Sequence, residues 1–251
     1  MGELNGLYAL WYREFKVFTR ERSRVVSSLI QPLMWLLIFG TGLGSVISIA
    51  GEGYQQFIFP GLLCMTVLFG SLFFGLYIIM DKKVDFLKEV LVAPLGRTTI
   101  FFGKVLGGAT DSTIEVILLM TLGVLFFSIH FTLYSLLLSL FMLAMLMVAV
   151  VSLGLTFGAL MDSQEGFGLV VSFVIFPLFF LSGALFPVTN LPGWLSVFVF
   201  ANPVSYAVDG LRTLILGTHS AFGLGVDFLV LAAFAVAMVL IGTEAFKRMK
   251  V

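Results

Sequence analysis

Charge is scarce in this chain of 251 residues. Asp, Glu, Lys and Arg make up 11% of it and apolar residues 60%, against about 25% charged in soluble domains. A water-soluble fold cannot hide that much apolar surface, which excludes a soluble enzyme or a nucleic-acid-binding domain. The one cysteine, Cys64, cannot form an internal disulfide. The only two histidines, His130 and His219, are far apart and lack a second ligand at metal-binding spacing. A phosphate-binding loop is missing as well. Gly103-Lys104 looks like the end of one, but Thr98 stands where the first glycine belongs and Val105 where serine or threonine is required. No nucleophile with its base is visible, so the chain is expected to hold no cofactor and to catalyse nothing by itself.

What is present is a series of long apolar runs. About 20 residues at about 1.5 Å each cross a hydrocarbon core of about 30 Å. The runs are Val25–Ala50, Phe57–Met80, Ala109–Ile129, Leu133–Met161, Phe167–Leu185 and Val226–Ala245. Of the fourteen basic residues, five precede the first run, five lie between Lys82 and Lys104, three are in the tail, and only Arg212 falls elsewhere. Because cytoplasmic loops carry the excess of lysine and arginine, the pattern predicts an all-α polytopic fold of six transmembrane helices in the cell inner membrane, with both termini cytoplasmic.

Residues 1–24 read as a separate interfacial element ahead of the membrane domain, 25–251. Leu4, Leu7, Tyr8, Trp11, Phe15 and Phe18 recur at helical spacing, with Arg13, Glu14, Lys16 and Arg20 mostly on other faces. Such an amphipathic helix suits either a lipid-surface anchor or a docking helix. The inner loop, 81–104, contains DKKVDFLKEVLVAPLGR from Asp81 to Arg97. Phe86, Leu87, Val90 and Leu91 have helical spacing, and Pro94 with Gly96 ends the pattern. A short amphipathic helix held there can act as a lever for a soluble partner.

Polar residues mark several crossings. Asp111 and Glu115 are one turn apart in the third, and Lys104, two turns earlier, shares nearly the same face. Charge within a span is costly and by default suggests function, here a structural or cavity-lining role or proton and ion coupling. In the first crossing, Ser27, Ser28 and Gln31 make a polar inner end that fits a solute pathway or a helix contact. Pro32 and Pro177 remove backbone hydrogen bonds and can kink the first and fifth crossings. Gly40 with Gly44, and Gly154 with Gly158, permit close helix approach within the chain or between copies. The segment 186–225 is broken by Pro187, Pro192 and Pro203, and its best apolar run is Leu195–Ala201. It is expected to form short helices dipping into the outer leaflet.

Taken together, three pieces in order carry a resemblance: the basic leader running into QPLMWLLIFGTGLG (Gln31–Gly44), the loop LKEVLVAPLGR (Leu87–Arg97) with Gly103-Lys104, and SGALFPVTNLPGWL (Ser182–Leu195) followed by NPVSYAVDGLR (Asn202–Arg212). The chain resembles the membrane subunits of type 2 ABC exporters. That resemblance implies a six-helix permease that dimerises and pairs with two copies of a separate ATPase, which carries the ATP and Mg. It implies that the inner loop is a coupling helix, with Phe86, Leu87, Glu89, Val90, Leu91, Pro94 and Arg97 meeting the ATPase. It also implies an outer re-entrant gate containing Pro187, Pro192, Trp194, Asn202, Pro203 and Arg212, and a path along the dimer interface for a drug, lipid or glycolipid. An ion-coupled transporter or channel using Asp111 and Glu115 is the alternative, although no inverted repeat relates the two halves.

Overall fold

The computed structural model describes residues 2–44, 48–49, 52–84, 90, 95–188 and 191–249. Apart from one two-residue strand pair, Ser48–Ile49 with Glu52–Gly53, the regular structure among them is helical. The helices are α1 (Glu3–Arg20), α2 (Arg22–Gly44), α3 (Tyr54–Leu72), α4 (Phe74–Lys83), α5 (Arg97–Phe126) and α6 (Leu133–Leu160). They continue with α7 (Gln164–Val170), α8 (Phe176–Phe180), α9 (Gly193–Ala201), α10 (Pro203–Leu216) and α11 (Leu224–Arg248), a π turn at Val171–Ile175 joining α7 to α8.

Among the described residues, five segments are long and apolar enough to cross a membrane: Val25–Gly44, Tyr54–Lys83, Arg97–Phe126, Leu133–Leu160 and Leu224–Arg248. The expected crossing at Phe167–Leu185 corresponds to a shorter apolar helix, Gln164–Phe180. Its neighbours nevertheless lie at opposite ends of the bundle. Asp162 accepts a bond from Lys82, next to the basic loop, whereas the Leu185 carbonyl accepts one from Tyr54 at the start of α3. Pro177 follows the π turn at the head of α8, and with no N–H to give it interrupts the ordinary helical ladder there.

Burial separates core from rim. Within the apolar windows, 72% of residues are buried in Tyr54–Lys83 but only 17% in Val25–Gly44 and in Leu224–Arg248. A helix that is apolar all round belongs in the middle, and α3 packs against α2, α5, α6 and α10. The joint between α3 and α4 at Phe73 sits on α6 through glycines. A Cβ at Gly154 would strike the Leu72 carbonyl, one at Gly158 the Gly75 carbonyl, and one at Gly75 the Gly154 carbonyl. This pair of glycines therefore serves packing within the chain. Gly40 likewise faces Gln55 of the same chain.

Local signals set several helix ends. α6 begins with a capping box in which the Thr132 hydroxyl accepts from the Ser135 amide and the Ser135 hydroxyl from the Thr132 amide. Asn202 caps α10, Pro203 occupies its first turn, and Gly217 ends it with φ +69°. Helix α5 starts at Arg97, twelve residues before the apolar run at Ala109 that marks it in the sequence. The extension carries the charges Arg97 and Lys104, and it packs against α1.

Candidate functional site: a charged neck and an adjoining cavity

Residues 3–20, the flanks of the 81–104 loop, Ala159–Asp162 and the end of α11 meet at one end of the bundle, here termed the loop end. Helix α1 runs parallel to the first half of α5, with Gly6 against Leu95, Leu10 against Gly103 and Glu14 against Gly107. Its buried positions, Gly6, Leu10, Glu14 and Phe18, recur every four residues and so form one stripe. Glu14 thus lies on the packed face, not among the water-facing polar residues where its charge alone would put it. Trp11 Nε1 donates to Thr110 Oγ1 at 3.0 Å, while Leu4 and Tyr8 stay exposed, the Tyr8 ring beside that of Trp11.

On this interface four charges close a ring. Lys104 Nζ donates to Asp81 Oδ2 at 2.7 Å and to Glu14 Oε1 at 3.1 Å. Arg13 donates to Glu14 at 2.7 Å and to Asp81 at 3.4 Å. Lys104 is only 2% exposed. Burial pushes the Glu14 carboxyl upward, but Lys104 and Arg13 more than reverse this and hold it below the usual carboxylate range. Asp81 and Lys104 are the first and last residues of the loop, so their ion pair closes its neck. Gly103 is pressed against Leu10, and the Lys104 ammonium is taken up by two carboxylates.

The shoulders of the loop cap other helices. Lys82 Nζ donates to the Ala159 and Met161 carbonyls at 2.9 and 3.1 Å, at the end of α6, and to Asp162. Arg97 Nη1 donates to the Lys247 and Met249 carbonyls at 2.9 and 2.6 Å, at the end of α11. Cations there complement the helix C-termini. Glu3 accepts from the Gly96 amide at 3.1 Å and from the Thr99 hydroxyl, capping α5 from a different helix. Among the residues assigned to ATPase contact, Val90 packs against the loop-end cluster, while Phe86, Leu87, Glu89, Leu91 and Pro94 lie outside the described residues. Replacing Arg97 by methionine should leave the last carbonyls of α11 without these donors. Amide exchange over residues 245–249 is expected to speed up about tenfold, or ~1.4 kcal/mol of local opening; unchanged protection would contradict the capping role.

The polar stripe of the third crossing divides at this point. Lys104 turns to the neck, while Asp111 and Glu115, each 2% exposed, lie deeper along α5. Ser112 between them shares a 2.9 Å hydrogen bond with Ser71 of α3, and a Cβ on Gly70 would meet the Glu115 carboxylate. Glu115 also lines a cavity of ≈ 230 Å³. Ser27, Ser28, Gln31 and Pro32 of α2 form one wall, facing Phe69 and Gly70 of α3, Phe73 at the joint and Tyr77 of α4. The polar end of α2 therefore faces a cavity.

At the opposite end, the residues after α8 are tied down by buried polar contacts. Arg212 donates to the Gly183 carbonyl at 2.9 Å and lies over the Phe57 ring at 3.9 Å. Asn202 Nδ2 donates to the Leu178 carbonyl at 2.7 Å while its Oδ1 caps α10. Pro187 is half-buried, Pro192 caps α9, and Trp194 is exposed. The expected short helices are present as α9 and α10. Sequence reasoning passed over Glu14 and Asp81 as partners of Lys104. It also passed over Asp209, whose carboxylate accepts from Ala221, Phe222 and Ser220. The isolation of Lys104 near a membrane span was the available signal, since such a cation calls for carboxylates.

Long apolar helices around a mostly buried α3, with few charges among them, define a multi-pass helical membrane protein. This chain belongs to the ABC-2 type transporter family, whose profile matches residues 5–216. It is 30% identical over 250 residues to the inner membrane transport permease YadH of Escherichia coli (strain K12), covering 96% of this chain and 94% of that protein. A protein of Cyanophora paradoxa named as a transport permease, ycf38, is 31% identical over 235 residues, covering 92% and 80%. Nodulation protein J of Rhizobium meliloti (strain 1021) is 27% identical over 245 residues, covering 96% and 92%. Membership makes the chain a membrane transport component, not itself catalytic, of a class that works with an ABC ATPase.

Proposed function

We propose that this chain is the permease subunit of an ATP-driven exporter, working as a homodimer in the cell inner membrane. The observation that carries this reading is the anchoring of the 81–104 loop, closed at its neck by Lys104 and Asp81 and braced on the ends of α6 and α11 by Lys82 and Arg97. A loop held in this way can receive force and pass it to the bundle. The loop end is then cytoplasmic, which agrees with the clustering of basic residues, and residues 164–185 make the fifth of six crossings. Residues 1–24 form the interfacial helix and 25–251 the permease domain. Phe86, Leu87, Glu89, Val90, Leu91, Pro94 and Arg97 meet the ATPase, which binds the ATP and Mg. The segment carrying Pro187, Pro192, Trp194, Asn202, Pro203 and Arg212 is the outer re-entrant gate.

The cargo is hydrophobic or amphipathic, a drug, lipid or glycolipid. Support comes from the cavity beside α2, where aromatic and polar groups face each other across ≈ 230 Å³. Two relatives are named as transport permeases, and one of those as an inner membrane protein. Changing Leu87 and Leu91 together to glutamate is expected to abolish co-purification of the ATPase while the permease remains folded. Full retention of the ATPase would refute the coupling assignment. Transport driven by a proton gradient in sealed vesicles without ATP would instead favour ion coupling through the buried acids Asp111 and Glu115.

A further inference from the structure

The ring of Arg13, Glu14, Lys104 and Asp81 is a poor device for stability alone. Replacing a buried ion pair by apolar groups of similar volume is often neutral or stabilising, because desolvation offsets the attraction. What the ring does provide is registry. Asp81 is on the last turns of α4, one turn beyond Tyr77, and Tyr77 with Phe73 lines the cavity. Lys104 is on α5, three turns before Glu115, which lines the same cavity. The two helices that carry these walls are thus bonded to each other at 2.7 Å where the loop leaves one and enters the other. Glu14 and Arg13 add α1 to the unit, and the seat of Gly75 against Gly154 and Gly158 lets α4 bear on α6 as a rigid piece.

We infer that this ring is a coupling clamp: its four side chains are positioning residues that make α1, α4 and α5 move together when the 81–104 loop is loaded, so that the load reaches the cavity between Tyr77 and Glu115. Without the clamp, a displaced loop would separate α4 from α5 and its motion would be spent at the neck. The inference rests on the ATP-driven reading above.

The experiment uses the full chain with its ATPase in lipid vesicles, spin-labelled in two pairs at exposed positions: Met80→Cys with Phe102→Cys across the neck, and Val26→Cys with Met80→Cys across the cavity. Cys64 is buried and stays unlabelled. In the otherwise unaltered complex, ATP should change the α2–α4 distance and leave the α4–α5 distance narrow and constant. If ATP changes nothing there, the ATP-driven reading itself fails. With Glu14→Gln, Asp81→Asn and Lys104→Met combined, hydrolysis should stay within about twofold while the cavity shift disappears and the neck distance broadens. Lys104→Arg, which keeps the charge, should retain the shift. A cavity shift of full size in the triple variant, or its loss in Lys104→Arg at normal hydrolysis, would overturn the clamp.

Discussion

Replacing Gly75 by valine is expected to prevent this protein from reaching a stable fold. A Cβ at that position would overlap the Gly154 carbonyl and press on the Phe167 ring. Overpacking usually costs about 1–3 kcal/mol because side chains can rotate aside. Here the obstacle is backbone, and it is reciprocal, since Gly158 meets the Gly75 carbonyl in the same way. Neither α4 nor α6 can retreat without breaking the seat of the α3/α4 joint, so a loss above ~3 kcal/mol is expected. Thermal unfolding of purified protein in detergent would register it as a collapse in yield or a large fall in Tm. Gly168→Ala is the matched control, because nothing lies within 4 Å of its added Cβ and alanine favours the helix by about 1 kcal/mol. Equal behaviour of the two variants would refute the close-packing account.

Removing only the cation of the neck should be the second large effect. Lys104→Met leaves the Glu14 and Asp81 carboxylates, 7% and 12% exposed, without their buried partner. Breaking a buried pair on one side typically costs about 3–5 kcal/mol. Arg13 still reaches both acids and is 35% exposed, which places the expected loss near the lower end, ~3 kcal/mol. The triple variant that also neutralises Glu14 and Asp81 should recover most of that stability, because the one charge left in the ring, Arg13, is 35% exposed and can turn to water. Denaturation midpoints of the single and triple variants, measured side by side, check this. If both lose the same amount, the cost would come from lost packing of the lysine stem, and the ring would carry no charge balance.

Much of the site could be located from the sequence in pieces but not assembled. The polar end of α2 at Gln31 and Pro32, and the acids Asp111 and Glu115, are recognisable because apolar spans make any polar residue conspicuous. That α2 and Glu115 line one cavity depends on how α2 leans on α3, which no periodicity encodes. Pro177 announced an irregularity, yet the π turn before it reflects how residues 164–180 fit beside their neighbours. Arg97 belongs to a motif associated with an ATPase, and its observed contacts are carbonyls some 150 residues away. Most of the loop residues proposed to meet a partner, Phe86 and Leu87 among them, lie outside the described residues.

By itself the sequence determined the class of this protein, its helical content and the places where chains of apolar residues must run. The physical reason is that hydrocarbon tolerates no unpaired backbone and few charges, so composition and the spacing of basic residues leave little choice. Tertiary structure alone decided which charge meets which. Lys104 pairs with Glu14 across 90 residues and with Asp81 across 23 because α1 lays its glycine-bearing stripe along α5 and the loop returns beside its own start. Side-chain partners over such separations are set by helix packing, and packing is resolved only when every apolar face has found its neighbour.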